Sequence, residues 1–319
     1  MALTLLVTNL LHGVVGLAWL AGLRRALAPM PAGLWARMLT LALILPVAVV
    51  ALHLAGVLPG SDASVLRVDL WAAHILANHV VLGFGAVLLG GTAVAFVLQE
   101  LWPVLSQQRV LHHAPRLQDA ALEGALAAVL AKYEAHGVRL PGRRRLYVRL
   151  LDTPAPTAAL EGFVEPVLLV SRGLRDHLDS FELEAVLAHE LAHLVQGGNR
   201  RFLWVWVIRA LQAPNPLALI IFRLLVEARE AAADALAAEV TRKPAVLAAA
   251  LLKLRSSAAA EADLSVLARA RASVLRQAEL AATRLRVRTL LDGPGRAQAS
   301  PLATITAGAL LGALLWSVA

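Results

Sequence analysis

The sequence predicts a mainly α-helical integral membrane protein with about four transmembrane helices and one cytoplasmic α+β domain. Three observations carry this prediction. Of the 319 residues, 59% are hydrophobic and only 16% are charged, whereas soluble globular proteins carry about a quarter charged residues. The mean hydropathy is +0.67. Several uncharged apolar stretches reach the roughly 20 residues that a helix needs to cross a bilayer, and one long arginine-rich segment separates the third from the last.

The first stretch, 4–22, carries no formal charge, and its positive residues, Arg24 and Arg25, follow it rather than precede it. A cleaved signal peptide has a positive leading region, so this stretch is expected to be a retained span. The second, 38–59, contains Pro46, which a span tolerates when neighbouring helices support it. The third is centred on 79–101, where Gly83, Gly90 and Gly91 allow close helix approach. Residues 301–319 form the fourth. The expected organisation is therefore a membrane domain over 1–102, a cytoplasmic domain over 103–299 and a last span over 300–319. Arg24, Arg25 and Arg37 fill the first loop, while Asp62, Arg67 and Asp69 give the second no positive excess. Cytoplasmic loops are richer in Lys and Arg, so the first loop and the long segment face the cytoplasm and both termini lie outside.

The net charge of +8 comes mostly from arginines that flank apolar segments. That pattern sets membrane orientation. No interleaved basic and aromatic stripe suggests direct nucleic-acid binding. The absence of cysteine excludes a disulfide framework and thiolate metal ligands, so a metal site must use His, Asp or Glu.

Within the long segment, 117–136 reads as an amphipathic helix, and 145–151 and 166–171 as short strands. A strand near 157–160 or 166–171 could take an extended peptide by strand addition. A helix begins near Asp179-Ser180, with Glu182 and Glu184 favouring the positive end of its dipole. Residues 202–222 are apolar enough to span a membrane but are broken by Arg209 and Pro214-Asn215-Pro216. They read as a helical hairpin dipping into or lying on the membrane, with a core hairpin as the alternative. Later helices are expected over 223–241, 243–259 and 263–290.

The chemistry concentrates in Ala188-His189-Glu190-Leu191-Ala192-His193. Residues four apart share a helix face, so His189 and His193 can hold one Zn2+, with Glu190 beside its open position as the general base of a peptidase. A catalytic zinc needs a third protein ligand. Glu230 and Asp234 are again four apart on a predicted helix. Glu230 is assigned as the third ligand and Asp234 as the acceptor that fixes a ligand histidine's tautomer. Glu227, one turn earlier, is the competing ligand. The motif lies in an apolar run (Val186, Leu187, Leu191, Leu194, Val195), where unpartnered polar side chains are costly. A zinc binder that does not cleave is a rival reading, against which the intact Glu190 argues.

The run Leu183 to His193, the Pro214-Asn215-Pro216 turn, Glu230-x-x-x-Asp234 and the stretch Arg286 to Leu291 together resemble the BlaR/MecR family of membrane zinc peptidases. The resemblance implies a gluzincin-like fold and cleavage of a cytoplasmic protein, in studied relatives a BlaI/MecI-type DNA-binding repressor. The chain ends at Ala319, so the expected member has no extracellular penicillin-binding sensor domain and serves a regulatory pathway with another trigger. Relatives often carry an Asp after the second histidine, where this chain has Asn199. The neighbouring CAAX-prenyl-protease and HtpX type shares HExxH and ExxxD and ranks second, with processing or quality control as its role.

Overall fold

The computed structural model describes residues 2–27, 30–57, 78–98, 119–140, 146–161, 166–258, 282–292 and 301–318. Its elements in chain order are α1 (Ala2–Ala26), α2 (Ala32–Leu54), α3 (His79–Phe96), α4 (Ala120–Ala135), β1 (Tyr147–Leu151), β2 (Ala158–Glu161), β3 (Val167–Ser171), α5 (Arg172–His177), α6 (Ser180–Val195), α7 (Gly198–Leu211), α8 (Pro216–Thr241), α9 (Pro244–Ala258), a helix α10 over 282–291, and α11 (Pro301–Val318). The chain divides into two compact units. One comprises Met1–Arg109, Leu203–Ala228 and Gln298–Ala319, and the other Val110–Phe202 and Arg229–Ala297.

In the first unit, α1, α2 and α11 pack on one another around Leu20, Met38, Leu39, Leu43, Leu311 and Leu315, all buried. Helices stand at all four positions where spans were expected, although α2 begins at Ala32 and ends at Leu54 rather than running over 38–59. Two of them, Ala32–Leu52 and His79–Phe96, are long and apolar enough to cross a membrane. Helix α3 leaves Val80, Phe84 and Val87 more than 70% exposed, an apolar surface that water disfavours and lipid does not.

The apolar stretch at 202–222 breaks at its Pro-Asn-Pro turn for a local reason. Asn215 Oδ1 accepts from the Leu217 and Ala218 N–H groups at 2.9 and 3.3 Å, capping α8, and Pro216 takes the first helical position, where a missing N–H costs nothing. The same Asn215 donates to Asn9 Oδ1 at 2.6 Å. Gln212 donates to the Leu43 carbonyl at 2.9 Å and accepts from Asn9 at 3.1 Å. Arg209 is fully buried. It donates to the Gln212 carbonyl at 2.9 Å and sits over the Phe96 ring, 5.3 Å from its centroid. The bonds of Asn215 and Gln212 satisfy amide groups that would otherwise be stranded in an apolar unit.

The second unit builds a three-stranded sheet in the order β1-β3-β2, with β1 parallel and β2 antiparallel to β3. Strands β1 and β3 start and end within two residues of their expected places. Among the described residues β3 is the central strand, which leaves β2 as an edge. Helices α4, α5, α6 and α9 and the sheet share a core that includes Leu122, Val129, Leu168, Leu174, Leu187, Leu191, Leu247 and, from α10, Leu290.

Helix α6 starts where its sequence says it should. Asp179 Oδ1 accepts from the Phe181 and Glu182 N–H groups, both at 2.8 Å, and Glu182 Oε2 accepts from the Asp179 N–H at 2.9 Å. This reciprocal cap satisfies otherwise orphaned donors. Replacing Asp179 with Ala is expected to lower stability by about 1 kcal/mol, read as a reduced midpoint in thermal unfolding; an unchanged midpoint would show that the cap is dispensable. Glu184 pairs with Lys132 and Glu182 with Lys253.

Candidate metal centre

Helix α6 presents His189 and His193 one turn apart, with ring centroids 4.9 Å apart and planes nearly perpendicular. Helix α8 brings Glu230 to both: Oε2 lies 3.5 Å from His189 Nε2, and Oε1 lies 3.5 Å from His193 Nε2. These three side chains form the group that could hold a metal ion among the described residues. Donors about 2.0–2.2 Å from one tetrahedral ion stand roughly 3.3–3.6 Å from each other; each imidazole meets that separation with a different Glu230 oxygen, and one donor atom from each of the three residues lies within 4.8 Å of the other two. Two imidazoles and one carboxylate are also the donor types of a catalytic zinc site with one position left open. Glu227 is exposed and takes no part in this group.

Asp234, one turn beyond Glu230, lies with Oδ1 2.9 Å from His189 Nδ1. That contact fixes the ring so that Nε2 faces Glu230. Asp234 is itself gripped by Arg286 of α10, whose Nε and Nη2 donate at 2.7 and 2.8 Å. Arg286 Nη1 lies 3.1 Å from Glu230 Oε2. A single guanidinium therefore binds the carboxylate that faces both imidazoles and the one behind His189. In the sequence the stretch from Arg286 stands out for its resemblance only. Its charge opposite buried Asp234 and half-buried Glu230 is the signal that could have identified it. Exchanging Arg286 for Met is expected to weaken metal affinity about 10–100-fold, the usual range for losing an outer partner, as measured by chelator competition; unchanged affinity would remove Arg286 from the centre.

Electrostatics follow this geometry. Burial works against a charged His189, but the carboxylates of Asp234 and Glu230, 2.9 and 3.5 Å from its ring nitrogens, outweigh it and raise its pKa to about 10. His193 moves the other way, to about 4, through burial and the charge on His189. Burial would raise both partner carboxyls, yet their hydrogen bonds to His189 and, for Asp234, Arg286 hold Glu230 and Asp234 at about 2. Burial pushes Glu190 up, against the pull of a 3.1 Å hydrogen bond from the Leu160 N–H on β2 to its Oε2.

Two contacts that no local pattern announces complete the surroundings. Gln196, just past α6, donates to the Arg229 carbonyl at 3.0 Å, tying the end of the histidine helix to α8 one residue before Glu230. Tyr133 is fully buried and donates to the Ala188 carbonyl at 2.7 Å. Its hydroxyl is engaged in supporting α6, which places it in packing rather than beside a reacting carbonyl.

Residues 117–291 match the family model of Peptidase family M48. The chain is 31% identical over 143 residues to Protease HtpX homolog 2 of Methanosarcina acetivorans, covering 34% of this chain and 48% of that protein. It is 30% identical over 156 residues to Protease HtpX of Thioalkalivibrio sulfidiphilus, covering 48% of each. The chain thus spans about half the length of these curated relatives. The matched family takes the place of the BlaR/MecR type inferred from the motifs, and the similar relatives are of the HtpX type ranked second there. HExxH and ExxxD are common to both groups, so those motifs could not separate them. The match covers more than half of the sequence, and the chain belongs to Peptidase family M48.

Proposed function

We propose that the protein is a membrane-bound, zinc-dependent endopeptidase of the HtpX-like type, acting on polypeptides exposed at the cytoplasmic face in processing or quality control. The observation that carries this reading is the convergence of His189, His193 and Glu230, with Glu190 beside them on the same helix, in a member of a peptidase family. The two long apolar helices support attachment to a bilayer. The arginine-rich loops support a cytoplasmic orientation of the 103–299 region and a four-span topology. The HtpX relatives favour this reading over cleavage of a BlaI/MecI-like repressor, which rested on the BlaR/MecR resemblance.

In this reading His189, His193 and Glu230 hold Zn2+. When bound, zinc polarises a carbonyl and acidifies water. Glu190 supplies the proton chemistry: its half-buried carboxylate has a raised proton affinity, suited to taking a proton from attacking water and passing it to the leaving amine. Asp234 holds the Nδ1 side of His189, keeping Nε2 turned to the ion, and Arg286 keeps Asp234 and Glu230 charged. The test is incubation of the purified full chain, in detergent, with unfolded casein. Cleavage that stops on zinc chelation and returns on adding Zn2+ is expected. Cleavage at an undiminished rate after zinc removal contradicts the reading.

A further inference from the structure

Strand β2 is an edge, and its pairing with β3 determines which of its groups face outward. The Ser171 N–H bonds the Thr157 carbonyl at 2.9 Å and the Thr157 N–H bonds Ser171 Oγ at 2.8 Å, so the polar groups of Thr157 face β3. Antiparallel ladders alternate. With Ala158 opposite Val170 and Leu160 opposite Leu168, the N–H and C=O groups of Ala158 and Leu160 point away from β3. An added strand pairs with such groups. At Leu160 both are already taken by side chains of this chain: the N–H donates to Glu190 at 3.1 Å, and the C=O accepts from Asn199 Nδ2 at 2.7 Å.

Asn199 reaches that carbonyl because of the turn before it. Gly197 and Gly198 adopt φ of +99° and +61°, the left-handed region that glycine enters without a Cβ penalty. They end α6 and start α7, setting Asn199 against β2 rather than letting it continue along the histidine helix. A short carboxamide that donates to an outward strand carbonyl does what the main-chain N–H of an incoming strand would do.

We propose that Asn199 is a latch on the edge strand, occupying the Leu160 carbonyl that an extended polypeptide must pair with in order to lie beside Glu190. The occupant it competes with is the main chain of an unfolded segment. The inference rests on the peptidase reading for its purpose but not for its geometry. In the resting chain the edge is closed to casual strand pairing, a protection that exposed sheet edges need. At the Leu160 carbonyl, substrate exchanges the Asn199 bond for one of its own, while the Leu160 N–H is held separately by Glu190. Removing Asn199 therefore tightens binding, an effect that damage to the fold would not produce.

The test uses the purified, zinc-loaded full chain in detergent and fluorescein-labelled unfolded casein. Stopped-flow anisotropy reads binding before cleavage. Asn199→Ala is expected to lower Kd roughly three- to tenfold, the value of about one hydrogen bond, with zinc content unchanged. Should that variant fail to fold, Asn199→Asp, of the same shape but unable to donate when ionised, carries the same expectation. Equal or weaker binding by the folded variant, or no binding by wild type and variant alike, overturns the latch. Tighter binding without casein cleavage by any form leaves the latch standing and removes the peptidase reading instead.

Discussion

Changing Glu230 to Gln should strip the metal from the chain, while changing Glu227 to Gln should leave it bound. Glu230 places one oxygen 3.5 Å from each imidazole, so it is the carboxylate positioned to complete a three-donor set. Glu227 lies one turn earlier and exposed. Losing Glu230 should cost more than the roughly 10–100-fold in affinity that an outer partner contributes. Metal analysis after dialysis checks both variants. Retention by Glu230→Gln, or loss by Glu227→Gln, reverses the assignment. The same site fixes a pH dependence. In the metal-free chain the His189 pKa is raised to about 10, so a proton occupies the ring at neutral pH and must leave before Nε2 can bind an ion. Zinc affinity should therefore rise about tenfold per pH unit between roughly pH 7 and 9. The same raised pKa stabilises the metal-free fold fully below the ordinary histidine value, and that contribution is lost as pH rises through about 10. Zinc titrations at several pH values, giving a flat profile instead, would show that His189 carries no such proton.

Glu190→Gln is expected to lower kcat by about 100- to 10,000-fold, the usual contribution of a positioned general base, while zinc remains bound. The substitution keeps the shape of the side chain and removes the carboxylate that takes the proton. It also spares His189, His193 and Glu230, so metal content separates loss of chemistry from loss of the site. Cleavage by this variant at the wild-type rate would remove Glu190 from the reaction.

The parts of the site that were legible in the sequence are those within one helix turn of each other. His189 and His193, and Glu230 and Asp234, share faces because their spacing matches the helical period, and the Asp179 cap marks the start of α6. Arg286 was not legible in its role, because its partners on α8 are 52 and 56 positions away and no periodicity links them. The order of the sheet was likewise hidden: three short strands can pair in several ways, and β2 becomes an edge because β3 takes the central place. Asn199 could be seen only as lacking a charge. Its use depends on a two-glycine turn that brings it back to Leu160. The choice between Glu230 and Glu227 needed the distance between α6 and α8, which local spacing does not contain. Most of the helix expected over 263–290, and Asp62, Arg67 and Asp69 of the second loop, lie outside the described residues.

The most direct test of the zinc-peptidase account is cleavage of casein in H2-18O by the purified full chain, with mass analysis of the fragments. Water activated beside Glu190 should leave one 18O in each newly formed carboxyl terminus, and the zinc-free chain should yield no such fragments. Fragments without the label, or labelled fragments formed equally fast by the zinc-free chain, would contradict it.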